Sequence, residues 1–306
     1  EIAIYGLSSI IGRFLNYLLG PLYTYKICAE AGGPAAYGLV TNFYAYTALL
    51  LVILTFGMET TFFRFANKEG SNPDKTFSTA AIAVGFVSLI FIILVSVFLR
   101  PISNALHYEE FPEFVEIMAI IVGFDAFQAI LFVRLRYENR PIKFAALKLL
   151  FIFMSIGMNL FIFLLAPKLK VSCPGLMGWV GSHDQVGYIF FVNLICTCII
   201  TLGFIPELKK LRNGLDKDLL KKMLRYTWPL LLLGLAGILN QVADKICYRY
   251  IVPGKEGDAQ LGIYGACVKI AMIMAMITQA FRYAYEPFVF GGHRDKNDKE
   301  LPAKAM

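Results

Sequence analysis

Charged residues make up only 17% of the 306-residue chain, and none occurs over the 23 residues from Phe77 to Leu99. A soluble domain of this size spreads charge over its surface, so this scarcity, with 58% hydrophobic residues, argues against a water-soluble globule. Histidine is rarer still: His107, His183 and His293 fall in three different expected loops. No Gly-rich loop follows a strand pattern, no P-loop is present and no Ser/His/Asp set is suggested, so neither an enzyme nor a self-powered ATPase is expected. The six cysteines lie mostly in or beside apolar runs, and Cys196 with Cys198 lacks the second ligand pair that a metal site needs. No metal or other cofactor is therefore expected. The chain also lacks an initiator Met and a leader, and reads as a piece of a longer protein.

What is present is a series of apolar runs. At about 1.5 Å per residue, 23 helical residues cross a hydrocarbon core of roughly 30 Å. The same test predicts about eight spans: 3–25, 37–62, 77–99, 114–133, 144–166, 186–204, 226–251 and 261–290. The fold class expected is an all-α polytopic membrane protein. With Lys148 and Arg249, towards the ends of their spans, counted in the adjoining connections, nineteen of the 29 Lys and Arg fall in connections after even-numbered spans, six in the odd ones and four inside spans. Basic residues are retained on the cytoplasmic side, which predicts cytoplasmic ends for both termini. The same bias accounts for the formal charge of +7, with Glu69, Asp74, Asp216 and Asp218 balancing it locally, so nucleic acid is not an expected partner. Six spans, residues 1–205, are expected to form one lobe. Residues 206–225, whose leucines recur at helical spacing among charges, are expected as an amphipathic cytoplasmic linker, and 226–306 as the incomplete start of a second lobe.

The four basic residues within spans, Arg13, Lys245, Lys269 and Arg282, are costly in hydrocarbon and mark a polar path or a partner. Arg13 shares a face with Asn16 and Tyr17, and either lines a cavity or snorkels to the interface. Arg282 has Gln279 and Glu286 on its face, so it either meets substrate or is neutralised by Glu286. Lys269, 13 residues earlier, either binds substrate or pairs with Asp244. Asp244 shares a stripe with Asn240 and either relays an ion or proton or sits in a static pair with Lys245 or Lys269. Asp125, with Gln128, marks a polar face on the fourth span and is a second ion-coupling candidate. Asn159 and Asn193 are expected as interhelical hydrogen-bonding groups, and Glu59 as part of a cytoplasmic cap near Arg64. Gly57, Gly85, Gly123, Gly157, Gly234 with Gly237, and Gly262 with Gly265 mark expected close helix approaches.

Several strings carry a family resemblance. They are Tyr17-Leu-Leu-Gly-Pro-Leu-Tyr-Thr24 after Arg13, Gly57-Met-Glu-Thr60 with Phe62-Phe-Arg-Phe65, Arg136-Tyr-Glu-Asn-Arg-Pro141, Tyr226-Thr-Trp-Pro-Leu230, Asn240-Gln-Val-Ala-Asp-Lys245, and Ala280-Phe-Arg282 with Glu286-Pro-Phe288. In this order the chain resembles bacterial Wzx-type oligosaccharide flippases of the multidrug/oligosaccharidyl-lipid/polysaccharide (MOP, MATE-like) exporter superfamily. The resemblance implies two six-helix lobes around a central cavity, of which this chain holds the amino-terminal lobe and the start of the second. It implies a bacterial cytoplasmic-membrane protein that turns polyprenyl-diphosphate-linked oligosaccharide to the outer leaflet by alternating access, for O-antigen, capsule or exopolysaccharide. Membrane lipid is then a partner, with polysaccharide polymerase and glycosyltransferases as further ones, and Arg13 corresponds to a first-helix Arg in the cavity of related flippases. Two alternatives stay open: a cation-coupled drug exporter of the same superfamily, disfavoured because buried bases outnumber buried acids, and a non-transporting scaffold of a polysaccharide-assembling complex.

Overall fold

A computed structural model describes residues 33–165, 185–208 and 214–291, with side chains in its last helix described only in part. The elements are α1 (Pro34–Thr55), α2 (Met58–Ala66), α3 (Pro73–Val97), α4 (Leu99–Ala105), α5 (Pro112–Tyr137), α6 (Pro141–Leu160, run on by a π turn, Phe161–Leu165), α7 (Gln185–Leu202), α8 (Ile205–Leu208), α9 (Lys217–Ile251) and α10 (Lys255–Gly291). The all-α expectation holds, with no strand among the described residues. Each predicted span is helical over most of its described residues, except 3–25, which lies outside them together with Arg13 and Asn16. Five stretches are long and apolar enough to cross a membrane: 34–66, 73–97, 112–137, 141–164 and 217–251; 186–202 is apolar but shorter.

Local chemistry sets the helix starts. Proline occupies the first turn of α1, α3, α5 and α6, where its missing N–H costs nothing and its fixed φ suits the helix. Asn72 caps α3 by accepting from the N–H groups of Asp74 and Lys75 at 3.1 and 3.2 Å, and Asp216 caps α9 in the same way through Asp218 and Leu219 at 3.0 and 3.1 Å. The predicted span 37–62 is interrupted: Phe56 (φ 36°) and Gly57 (φ 72°) both take left-handed backbone and separate α1 from α2. A side chain at Gly57 would also meet Leu230 Cβ at 2.9 Å, so glycine there permits both the turn and the contact with α9.

Of the expected linker over 207–225, Glu207 and Leu208 belong to α8, Gly214 takes φ 72°, and residues 217–225 form the first turns of α9 itself, while 209–213 lie outside the described residues. At about 1.5 Å per residue, a 35-residue helix is about 52 Å long, which leaves its Lys- and Arg-rich start outside a hydrocarbon core. Pro229 lies inside α9, where polar groups and neighbouring helices make a lost backbone bond tolerable.

The antiparallel run brings the short connections to two ends. Residues 66–73, 137–141, 202–208 and 214–217 gather at one, called here the charged end. Residues 97–112 and the 251–255 turn between α9 and α10 gather at the other, called the tip. The core of α1–α7 is aromatic and fully buried: Phe43 stacks on Phe190 at 3.7 Å between centroids, and Phe132 meets Phe144 and Phe204 edge-on at 5.3 and 4.8 Å. The α9–α10 hairpin packs along α1. A Cβ at Gly38 would lie 1.9 Å from the Asp258 carbonyl oxygen, and one at Gly262 would lie 2.0 Å from that of Pro34, so backbones touch here as the small residues predicted. Gly157 and Gly237 were expected to do the same, but each faces open space.

Candidate functional site

Two polar clusters sit at span depth. The first bridges α5 and α7. Gln128 donates to the Thr197 carbonyl at 2.9 Å and to Thr201 Oγ1 at 2.8 Å, and Thr197 donates to Asp125 Oδ1 at 3.3 Å. Lys148 was counted as a loop cation, yet it lies well within α6, its Nζ 4.1 Å from the Phe132 ring centre, and it attracts Asp125 electrostatically. Its four-carbon stem lets the ammonium reach α5 from a position that sequence spacing assigns to the helix start.

The second cluster lies where the hairpin meets α1. Asn42, fully buried on α1, donates to the Lys245 carbonyl at 2.8 Å and accepts from the Tyr108 hydroxyl at 3.0 Å. Lys245 Nζ folds back onto both Asp244 oxygens at 3.2 and 3.3 Å and onto the Gln241 carbonyl at 2.7 Å. Adjacent helix residues point about 100° apart, yet the flexible Lys stem bends back far enough for Lys245 to form the static pair with Asp244. Tyr264 of α10 donates its hydroxyl to Asp244 Oδ2, so the carboxylate is shared by Lys245 and Tyr264. Lys269 Nζ lies 5.3 Å above the Tyr37 ring of α1, a cation–π arrangement that suits a cation in a poorly solvated site. The structure thus pairs Asp244 with Lys245, sets Lys269 against Tyr37 of α1, and keeps Asp125 on a different pair of helices. Arg282 lies 13 residues beyond Lys269 on α10, about 20 Å further along the axis. Among the described residues no group of three or more His, Cys, Asp or Glu could hold a metal ion.

The ends frame these clusters. At the charged end Arg134 is 5% exposed, bonds Glu138 at 2.7 Å and pairs with Asp74. Glu207 takes Lys143 at 2.7 Å, and Lys75 pairs with Asp216 at 2.8 Å. Glu59 pairs with Arg136 at 3.1 Å rather than with Arg64, whose guanidinium lies 4.2 Å over the Tyr226 ring. At the tip Arg249 pairs with Asp258 at 2.8 Å, donates to the His107 carbonyl at 3.0 Å and lies 4.6 Å over Tyr108. The Tyr46 and Tyr250 hydroxyls are 3.1 Å apart. Burial holds the Tyr108 phenol above its ordinary range, so at neutral pH it stays a hydrogen-bond donor.

A family model described as "Polysaccharide biosynthesis protein" matches residues 1–284. The chain belongs to the polysaccharide biosynthesis protein family. The match runs through both clusters and through α1–α9, so the family's fold accommodates the α9–α10 hairpin as well as the first six predicted spans. No curated protein and no solved structure matches the chain. Family membership and the apolar helices make it a membrane protein of polysaccharide biosynthesis. Sequence reasoning missed Lys148 and Asn42. For Lys148 the available signal was its place four residues past Phe144, inside a predicted span; for Asn42 it was an amide near the start of an apolar run.

Proposed function

We propose that the protein moves a polyprenyl-diphosphate-linked oligosaccharide across the bacterial cytoplasmic membrane by alternating access, as a carrier and not an enzyme. In this reading both termini are cytoplasmic, the charged end faces the cytoplasm and the tip faces outward. Membrane lipid, polysaccharide polymerase and glycosyltransferases are its partners. The observation that carries the proposal is Lys269, held at span depth on the α9–α10 hairpin over the Tyr37 ring in a member of the polysaccharide biosynthesis family. A diphosphate leaving the headgroup layer loses hydration, and cationic donors in a partly water-accessible site replace it. Arg13, Asn16 and Arg282 complete the cationic lining in this reading, and Asp125 and Asp244 are its candidates for coupling to an ion gradient.

Proteoliposomes holding the full reading frame and a fluorescent undecaprenyl-diphosphate-linked sugar test the reading. Flipping is expected to fall at least tenfold in Lys269→Ala, Arg13→Ala and Arg282→Ala, while membrane insertion is unchanged. Wild-type rates in all three variants would overturn the proposal.

A further inference from the structure

On the side of the hairpin turned away from α1, polar side chains run in register up both helices. Asn240, Gln241 and Asp244 are exposed on α9, with Tyr248 one turn further on. Gln260 is exposed on α10, and Tyr264 is 42% exposed. The two sides are tied rung by rung: Tyr248 donates to Gln260 Oε1 at 2.5 Å, and Tyr264 donates to Asp244. Asp244 lies seven residues before the end of α9, about 10 Å below the tip. Acyl chains cannot satisfy amides and a carboxylate at that depth, so this face requires a polar occupant.

The chemistry of the face narrows what that occupant is. Lys245 neutralises Asp244, leaving a surface with no net charge, which suits a neutral polyhydroxy group better than a phosphate. Gln241, Gln260 and Asn240 each offer a donor and an acceptor on one planar group, the pattern that pairs with a hydroxyl that both gives and takes a hydrogen bond. The Asp244 side chain stays 41% exposed despite its two partners, so acceptor capacity remains toward the open side. Beside it the Tyr264 ring supplies an exposed flat apolar face, which the C–H face of a sugar ring can cover.

We propose that this ladder, Asn240, Gln241, Asp244, Tyr248, Gln260 and Tyr264, is the sugar-recognition surface for the oligosaccharide headgroup, distinct from Lys269, which meets the diphosphate. The inference rests on the transport reading above, and it gives Asp244 a role in selecting the sugar. A site built to hydrogen-bond hydroxyls discriminates strongly against a ligand that lacks them.

Native mass spectrometry of the intact protein separates the two claims, with two probes: undecaprenyl-diphosphate-linked oligosaccharide extracted from the host cells, and undecaprenyl diphosphate without sugar. Asn240→Ala and Gln260→Ala are each expected to weaken binding of the sugar-bearing lipid about tenfold and leave the sugar-free lipid unchanged. Lys269→Ala is expected to weaken both. Equal weakening of both lipids by the ladder variants, or no weakening of either, would overturn the sugar assignment while leaving the transport reading in place. Wild-type protein that retains neither lipid would sink the transport reading and this inference with it. Should either variant not yield folded protein, the exposed Gln241→Ala change carries the same comparison.

Discussion

Glu207 illustrates what an acid needs in order to sit 1% exposed: Lys143 at 2.7 Å from one oxygen and 2.8 Å from the other, with Arg140 at 3.9 Å. Removing one partner from such a group leaves an uncompensated charge, whereas a solvent-facing pair contributes little. Asp216 is of the second kind by exposure but has a structural task, because it joins the start of α9 to Lys75 of α3 while capping its own helix. The Lys75 ammonium and the Leu219 N–H hold its carboxyl below the ordinary value of 3.8. A depressed folded-state pKa means that its stabilisation is complete above the ordinary value and is lost as pH falls through the depressed one. The unfolding temperature in detergent is therefore expected to drop more steeply between about pH 4 and pH 3 for wild type than for Asp216→Asn, which keeps the cap and loses the charge. Parallel curves would refute the assignment. At this scale the sequence was readable where a residue acts on its neighbours, as with the Lys245–Asp244 pair. It was not readable for Arg136–Glu59 or Lys148–Asp125, whose partners are brought together by packing across helices.

Among the elements, the seam between α1 and α10 is built on contact between backbones. Gly262 would place a Cβ 2.0 Å from the Pro34 carbonyl oxygen and 3.0 Å from the Gly38 nitrogen, atoms that cannot swing aside as a side chain can. Gly262→Ala is expected to push the helices apart and destabilise by about 1–3 kcal/mol, the usual cost of overpacking. Gly237→Ala, at a helix position with open space around it, is expected to be neutral or slightly stabilising. Thermal unfolding of the two variants side by side checks this, and equal shifts would mean that the seam does not depend on close approach. Element positions were legible because long apolar runs, first-turn prolines and Asn or Asp caps act locally. The break at Phe56–Gly57 and the merger of the linker's second half into α9 were not legible, because tertiary contacts with Leu230 and with Ser78, which donates to the Gly214 carbonyl at 2.8 Å, decide them.

For the molecule as a whole, the α9–α10 hairpin touches the helices before it at both ends: through Arg249 and Tyr250 at the tip, and through Tyr226 and Asp216 at the charged end. Alternating access requires that one of these closures open while the other holds. The side-chain contacts that close the tip are Arg249 donating to the His107 carbonyl and lying over the Tyr108 ring, and Tyr250 donating to the Ala105 carbonyl and meeting the Tyr46 hydroxyl, a small number of interactions for a carrier to break in turn. If the hairpin moves against α1, a covalent tie across the seam must stop transport. Thr41 and Gly265 provide the place, since a Cβ at Gly265 would lie 3.1 Å from Thr41 Cβ, close to the roughly 3.5–4.5 Å of a disulfide. In protein whose six native cysteines have been replaced, Thr41→Cys with Gly265→Cys is expected to cross-link on oxidation and to abolish flipping, and reductant is expected to restore it. Each single change supplies the control for the substitutions themselves. Undiminished flipping with the cross-link formed would place the moving interface elsewhere than the seam between α1 and α10.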